Sequence, residues 1–233
     1  MERTEIRTAA EILKQLIRIR TVQPEGDERD AAVYIASLFP EERAEKRFIG
    51  HEGNRASLVL TFRGRRPGSS VAVTGHMDTI TIGDAALWTR SPFGAEESDG
   101  CVFGRGASDM KGGLTSMILA ARRMLDRCVR TENTVHFCFT ADEEVGGTGA
   151  KALVGGGYLA GVEELVVVKP TGEKIGLAEK GAIWLRVRVQ GRSSHAAMPE
   201  SGINALGVFS SFADRIRALL GTERKHELLG RSS

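Results

Sequence analysis

TVHFCFTADEEVGG (134–147) holds the reading of the fold. Residues 134–140 are strand formers, and three acids, Asp142, Glu143 and Glu144, then stand side by side. Adjacent carboxylates at a strand end repel one another, and a plain turn needs only one of them. A cation that neutralises this repulsion accounts for the cluster. Of two neighbouring glutamates, one can bind a metal while the other acts as general base on an activated water.

Outward from this stretch, ELVVV (164–168) reads as a strongly apolar strand, as do ASLVLTF (56–62) and SVAVTG (70–75) upstream. Leu114, Met117, Ile118, Ala121, Met124 and Leu125 recur at helical spacing, as do Ile6, Ala9, Leu13, Leu16 and Ile17. A second helix carries Ala31, Tyr34, Ile35 and Leu38, with Asp27 placed to cap it. GGTGAKALV (146–154) suggests a loop entering another helix, and residues 81–108 read as a long loop with one short hairpin. The β-α-β-α-β order predicts an α/β fold, a mostly parallel sheet with helices on both faces. AIWLRVRVQG (182–191) alternates like a half-exposed antiparallel strand, and a helix pattern follows from Asn204 to about Leu220. A boundary near 176–179 therefore separates a domain over 1–177 from a second, α+β segment over 178–233.

Composition excludes several classes. Lys+Arg 32 against Asp+Glu 30 gives a formal charge of +2, which makes no electrostatic case for nucleic acid. No apolar run is long enough to cross a bilayer, and MERTEIRTAAEI lacks the apolar core of a signal peptide. Three cysteines without CxxC spacing read as reduced thiols, and a cytoplasmic location is expected.

Three of the expected parallel strands run into polar residues: SVAVTG into His76 and Asp78, TVHFCFT into the three acids, and ELVVV into Lys169. Asp109, in GRGASDMKGG (104–113), precedes the long helix. Ligands of open α/β sheets bind beyond the carboxyl ends of the strands, so these groups are expected to share one crevice. Taken singly, Asp109 reads as a helix cap, His76 as a structural histidine and the acids as a solvated turn. Their conjunction at three strand ends points to a divalent metal, which imidazole and carboxylate both suit. Asp78, two residues beyond His76, is placed to accept the second imidazole N–H. The glycine pairs of GRGASD and EEVGGTGA lack the spacing of a phosphate loop.

GHMDT (75–79), GRGASDMKGG (104–113), TADEEVGGTGA (140–150) and the run from Pro170 to Ala205 resemble the M20 metallopeptidase family, of the acetylornithine deacetylase, succinyl-diaminopimelate desuccinylase, carboxypeptidase G2 and aminoacylase-1 type. The resemblance implies a two-metal amidohydrolase acting on a small N-acyl amino acid or dipeptide-like substrate, with zinc as the ion and cobalt as the alternative. It implies metal ligation by His76, Asp109 (bridging) and Glu144, general-base action by Glu143, support of His76 by Asp78, and a cis Asp109–Met110 peptide. The segment from 178 would begin an inserted lid or dimerisation domain of a homodimer. There His195 would stabilise an oxyanion and Asn204 would lie near substrate. Two departures qualify these expectations. Lys169 stands where relatives carry an acid that completes one metal shell, which leaves it a substrate-binding role. The sequence also ends at HELLGRSS, before the family's last metal-binding histidine, so weak metal binding by the truncated chain is expected. The competing reading is a catalytically silent homologue serving as a binding or dimerisation module.

Overall fold

The computed structural model describes residues 3–66, 68–181, 185–220, 224–227 and 230–232. Contacts divide the chain into two compact units, Met1–Pro170 and Thr171–Ser233.

In the first unit, helices α1 (Arg3–Arg18) and α2 (Glu28–Ser37) lead into strands β1 (Glu45–Gly50), β2 (Ala56–Phe62) and β3 (Ser70–His76). A small hairpin, β4 (Glu96–Ser98) with β5 (Cys101–Phe103), lies in the expected long loop. Helix α3 (Gly112–Asp126), β6 (Thr134–Thr140), α4 (Thr148–Gly155) and β7 (Val162–Val167) complete the unit. The main sheet has the order β1-β2-β6-β3-β7, with β3 parallel to both β6 and β7. β2 runs antiparallel to β6, and β1 antiparallel to β2. The sheet is thus mixed, with its parallel part where the polar strand ends were expected.

Alternation across the pleat explains why β2 and β6 are apolar along their length. Leu58, Leu60, Phe137 and Phe139 face a core shared with Leu16, Ile35, Leu114 and Ile118 of the first three helices. Val59 and Cys138 face the opposite side, where Leu153 of α4 covers them. Helices therefore flank both faces. β1, which the apolar pattern does not reveal, is a charged edge strand whose Glu45 accepts from Arg63, just past the end of β2, at 2.7 and 2.8 Å.

Asp27 does not cap α2 through its side chain. Its backbone is left-handed (φ 51°), whereas a capping residue takes extended backbone so that its side chain can reach the first-turn amides. The neighbouring Glu28 is buried instead.

In the second unit, α5 (Ala205–Leu220) is followed by β8 (Arg224–His226) paired antiparallel with β9 (Gly230–Ser232). The strand expected over 182–191 is not formed at 185–190, and 182–184 lie outside the described residues. Alternation makes a strand only where a partner accepts its ladder hydrogen bonds, and no described residue pairs with 185–190. Among the described residues, no helix is long and apolar enough to cross a membrane.

Candidate metal centre

His76 ends the central parallel strand and is buried. On one side it pairs with Thr140 of β6. On the other, Thr74 pairs with Val167 and accepts from Val168 N, so the register carries Lys169 to the side of His76. Nδ1 of His76 lies 3.0 Å from the Asp78 carbonyl and 3.4 Å from Asp78 Oδ1. Nε2 is thereby turned to the groups at the strand ends.

Asp78 does more than orient the imidazole. Its buried carboxylate accepts Glu143 N on Oδ1 at 3.0 Å, Glu144 N on Oδ2 at 3.0 Å, and Gln23 Nε2 on Oδ2 at 2.6 Å. One carboxylate fixes the backbone under both glutamates. Burial would raise its pKa, but hydrogen bonds from His76, Glu144 N, Gln23 and Glu143 N outweigh burial and hold it down at about 2.

Asp142, the first acid of the trio, has a structural task. Its backbone is left-handed (φ 65°), and its Oδ2 accepts both the amide (3.2 Å) and the hydroxyl of Thr148 at the start of α4. Its Oδ1 pairs with Arg55 at 3.1 Å. Arg55 also donates to both oxygens of the fully buried Glu28, at 2.9 and 2.6 Å, and Glu28 Oε1 accepts Asp142 N. The three adjacent acids thus divide their work: Asp142 anchors the turn, while Glu143 and Glu144 lie beside the imidazole. Motif reading gave no sign of Gln23, Glu28 or Arg55, which lie more than 80 residues from the acids.

Asp109 sits in the turn before α3, with extended backbone (φ −116°, ψ 102°) and the expected cis peptide to Met110. The turn is tied down by buried Lys111, whose Nζ donates to the carbonyls of Leu16 and Ile19 at the end of α1, 2.8 Å each. The glycines nearby serve packing. Gly106 takes φ 76°, and a Cβ on Gly113 would stand 2.4 Å from the Val168 carbonyl.

The result is a donor set. A ring nitrogen of His76 and one carboxylate oxygen each of Asp109 and Glu144 all lie within 4.8 Å of one another. Glu144 has a raised pKa, chiefly from burial, with the charges of Glu143, Asp109 and Asp78 adding to it. Such a cluster favours a cation, and its chemistry fits one divalent ion.

Lys169 does not fit a second. Its Nζ lies 2.7 Å from His76 Nε2, 3.2 Å from Asp109 Oδ1 and 3.0 Å from Glu143 Oε1. Burial works to lower its pKa, but hydrogen bonding and charge from Glu143 and Asp109 prevail and raise it, so the group is an ammonium. The same surroundings act on His76: burial disfavours its protonation, yet Asp78 and Glu143 outweigh burial and Lys169, and its pKa rises. A unit charge and a dication about 4 Å apart repel by about 8 kcal/mol even at an effective dielectric near 20.

The remaining expected residues lie in the second unit. Asn204 Oδ1 accepts from Leu206 N and Gly207 N at 3.1 and 3.2 Å, capping α5. His195 is exposed, and its Nδ1 accepts from Ala197 N at 3.2 Å.

Helices on both faces of a partly parallel sheet, with imidazole and carboxylates gathered at its strand ends, define a metallohydrolase-like domain. The chain belongs to the peptidase family M20/M25/M40, whose model matches residues 72–226. It is 30% identical over 227 residues to a probable succinyl-diaminopimelate desuccinylase of Staphylococcus epidermidis, a match covering 97% of this chain and 54% of that protein. The chain thus spans about half the length of the curated relatives it matches. Among solved structures, aminopeptidase PepT from Bacillus cereus aligns with a TM-score of 0.57 at 19% identity, over 90% of this chain and 56% of that one. Human carnosine dipeptidase 1 aligns at 0.59 and 21%, over 70% and 38%. Bacillus subtilis YXEP, described as a dinuclear metal binding peptidase, aligns at 0.50 and 20%, over 71% and 43%. These distant structures share the fold.

Proposed function

We propose that this chain carries the water-activating machinery of an amidohydrolase that cleaves a small N-acyl amino acid or dipeptide-like substrate. The observation that carries the reading is the convergence of His76, Asp109 and Glu144 within 4.8 Å, with Glu143 beside them. A bound divalent ion would supply Lewis-acid polarisation of the amide carbonyl and acidify the attacking water. His76, Asp109 and Glu144 would hold that ion. Glu143 takes the water's proton and returns it to the leaving amine. Asp78 keeps both glutamates and the imidazole in place through its four hydrogen-bonding partners. The substrate class follows the similarity to a probable desuccinylase and the fold shared with a dipeptidase and an aminopeptidase.

The same reading takes zinc as the ion, a homodimer as the assembly and the cytoplasm as the compartment. It assigns residues 1–177 to catalysis and 178–233 to a lid, where His195 would stabilise the oxyanion and Asn204 would lie near substrate. The experiment is hydrolysis of N-succinyl-diaminopimelate and N-acetylornithine by the protein supplied with Zn2+ or Co2+, with Glu143→Ala as control. Metal-dependent cleavage that falls at least about 100-fold in Glu143→Ala supports the reading. Turnover indifferent to that substitution counts against it. A second reading, a silent homologue acting as a binding module, is favoured by one observation: Glu143 is ion-paired to Lys169. Zinc binding without turnover of any tested amide would select it.

A further inference from the structure

We propose that the Lys169 ammonium is a tethered cation that takes one of the two cation positions of the centre, so that this chain binds a single divalent ion. The inference rests on the metal-centre reading above and settles its stoichiometry.

Three acceptors converge on Nζ: His76 Nε2 at 2.7 Å, Glu143 Oε1 at 3.0 Å and Asp109 Oδ1 at 3.2 Å. This is the arrangement a small cation would find there, one imidazole nitrogen and two carboxylate oxygens, and the ammonium's three N–H donors match them one to one. Two of the three residues, His76 and Asp109, also belong to the metal-ligating set. An ion bound by both would meet the ammonium at close range. The ion that remains is therefore held first by Asp109 and Glu144, and His76, with one lone pair on Nε2, completes its shell only as the ammonium gives that nitrogen up. Lys169 is held in place by the parallel ladder, through Val167 opposite Thr74 and Val168 N on the Thr74 carbonyl, and its side chain is only about one-third exposed. The position is thus set by the sheet and not by a free surface side chain. Chemically, a fixed ammonium can neutralise Asp109 and Glu143 as an ion would, but it offers no vacant coordination site.

The test measures bound metal and does not depend on turnover. The full chain is stripped with EDTA and dialysed to equilibrium against Zn2+ alone, and zinc per chain is counted by mass spectrometry for wild type, Lys169→Glu and Lys169→Met, with circular dichroism checking the fold. Wild type should bind one zinc. Lys169→Glu adds a third donor to His76 and Asp109 and should bind two. Lys169→Met removes the charge without adding a donor, so it should bind one zinc at least tenfold more tightly than wild type. If the glutamate variant does not fold, the methionine variant decides alone. Two zinc ions in wild type, or unchanged affinity in Lys169→Met, would overturn the proposal and leave the hydrolase reading standing. Absence of zinc from every variant would sink the metal centre itself and this inference with it.

Discussion

Replacing Asp78 by asparagine should release the turn that carries both glutamates. The side chain is fully buried, and its two oxygens receive the amides of Glu143 and Glu144 and the Gln23 carboxamide. A carboxamide has one accepting oxygen, so one of the two backbone amides must face an NH2 group. A buried donor left without an acceptor costs about 1–3 kcal/mol. The titration behaviour leads to the same magnitude. Lowering the pKa from 3.8 to about 2 corresponds to about 2.5 kcal/mol of stability tied to the charge at neutral pH. Because the folded pKa is the lower one, this stability is fully present above the unfolded value near 3.8 and is lost as pH falls through about 2. About half of it remains at pH 3. Urea unfolding of metal-free wild type and Asp78→Asn, followed by circular dichroism in EDTA, should show a difference of about 2–3 kcal/mol at pH 7 that shrinks by about half at pH 3. Hydrogen exchange should show the Glu143 and Glu144 amides losing protection selectively. A difference under about 1 kcal/mol, or one of equal size at both pH values, would refute the reasoning.

Other outcomes follow from the same contacts. Arg55→Met strands the buried carboxylates of Glu28 and Asp142 and should cost about 3–5 kcal/mol in urea unfolding; a loss below about 1 kcal/mol would show that the triad carries no stability. Gly113→Ala places a methyl 2.4 Å from the Val168 carbonyl and should destabilise by about 1–3 kcal/mol, although alanine is the better helix former; an unchanged unfolding midpoint would mean that the approach of α3 to Val168 is not close. Burial pushes the Cys138 thiol up to about 12, while Cys101 and Cys128 are exposed. A chromogenic disulfide reagent at pH 8 should therefore titrate two thiols in the native protein and the third only after denaturation. Rapid titration of all three would contradict the burial of β6.

Sequence alone determined the elements whose signal is local. The apolar runs at 56–62, 70–75, 134–140 and 164–168, and the helical spacing from Leu114 to Leu125, appear as β2, β3, β6, β7 and α3. His76 at the end of β3 and Glu144 after β6, which meet Asp109 from the turn before α3, were legible for a related reason. Parallel strands end on one side of a sheet, so polar residues following each strand must meet. Charged β1 escaped notice because an edge strand is defined by its partner and not by its own apolar pattern. Asp27 showed the opposite failure, since the residue type suits a cap but the backbone angle does not. Tertiary structure alone decided who holds the glutamates and what Lys169 does. Gln23 and Asp78 are 55 residues apart, Glu28 and Asp142 114, and Lys169 and His76 93. Hydrogen bonds over such separations leave no periodicity in the chain, because they depend on strand register and on which buried charges lie close enough to compensate one another.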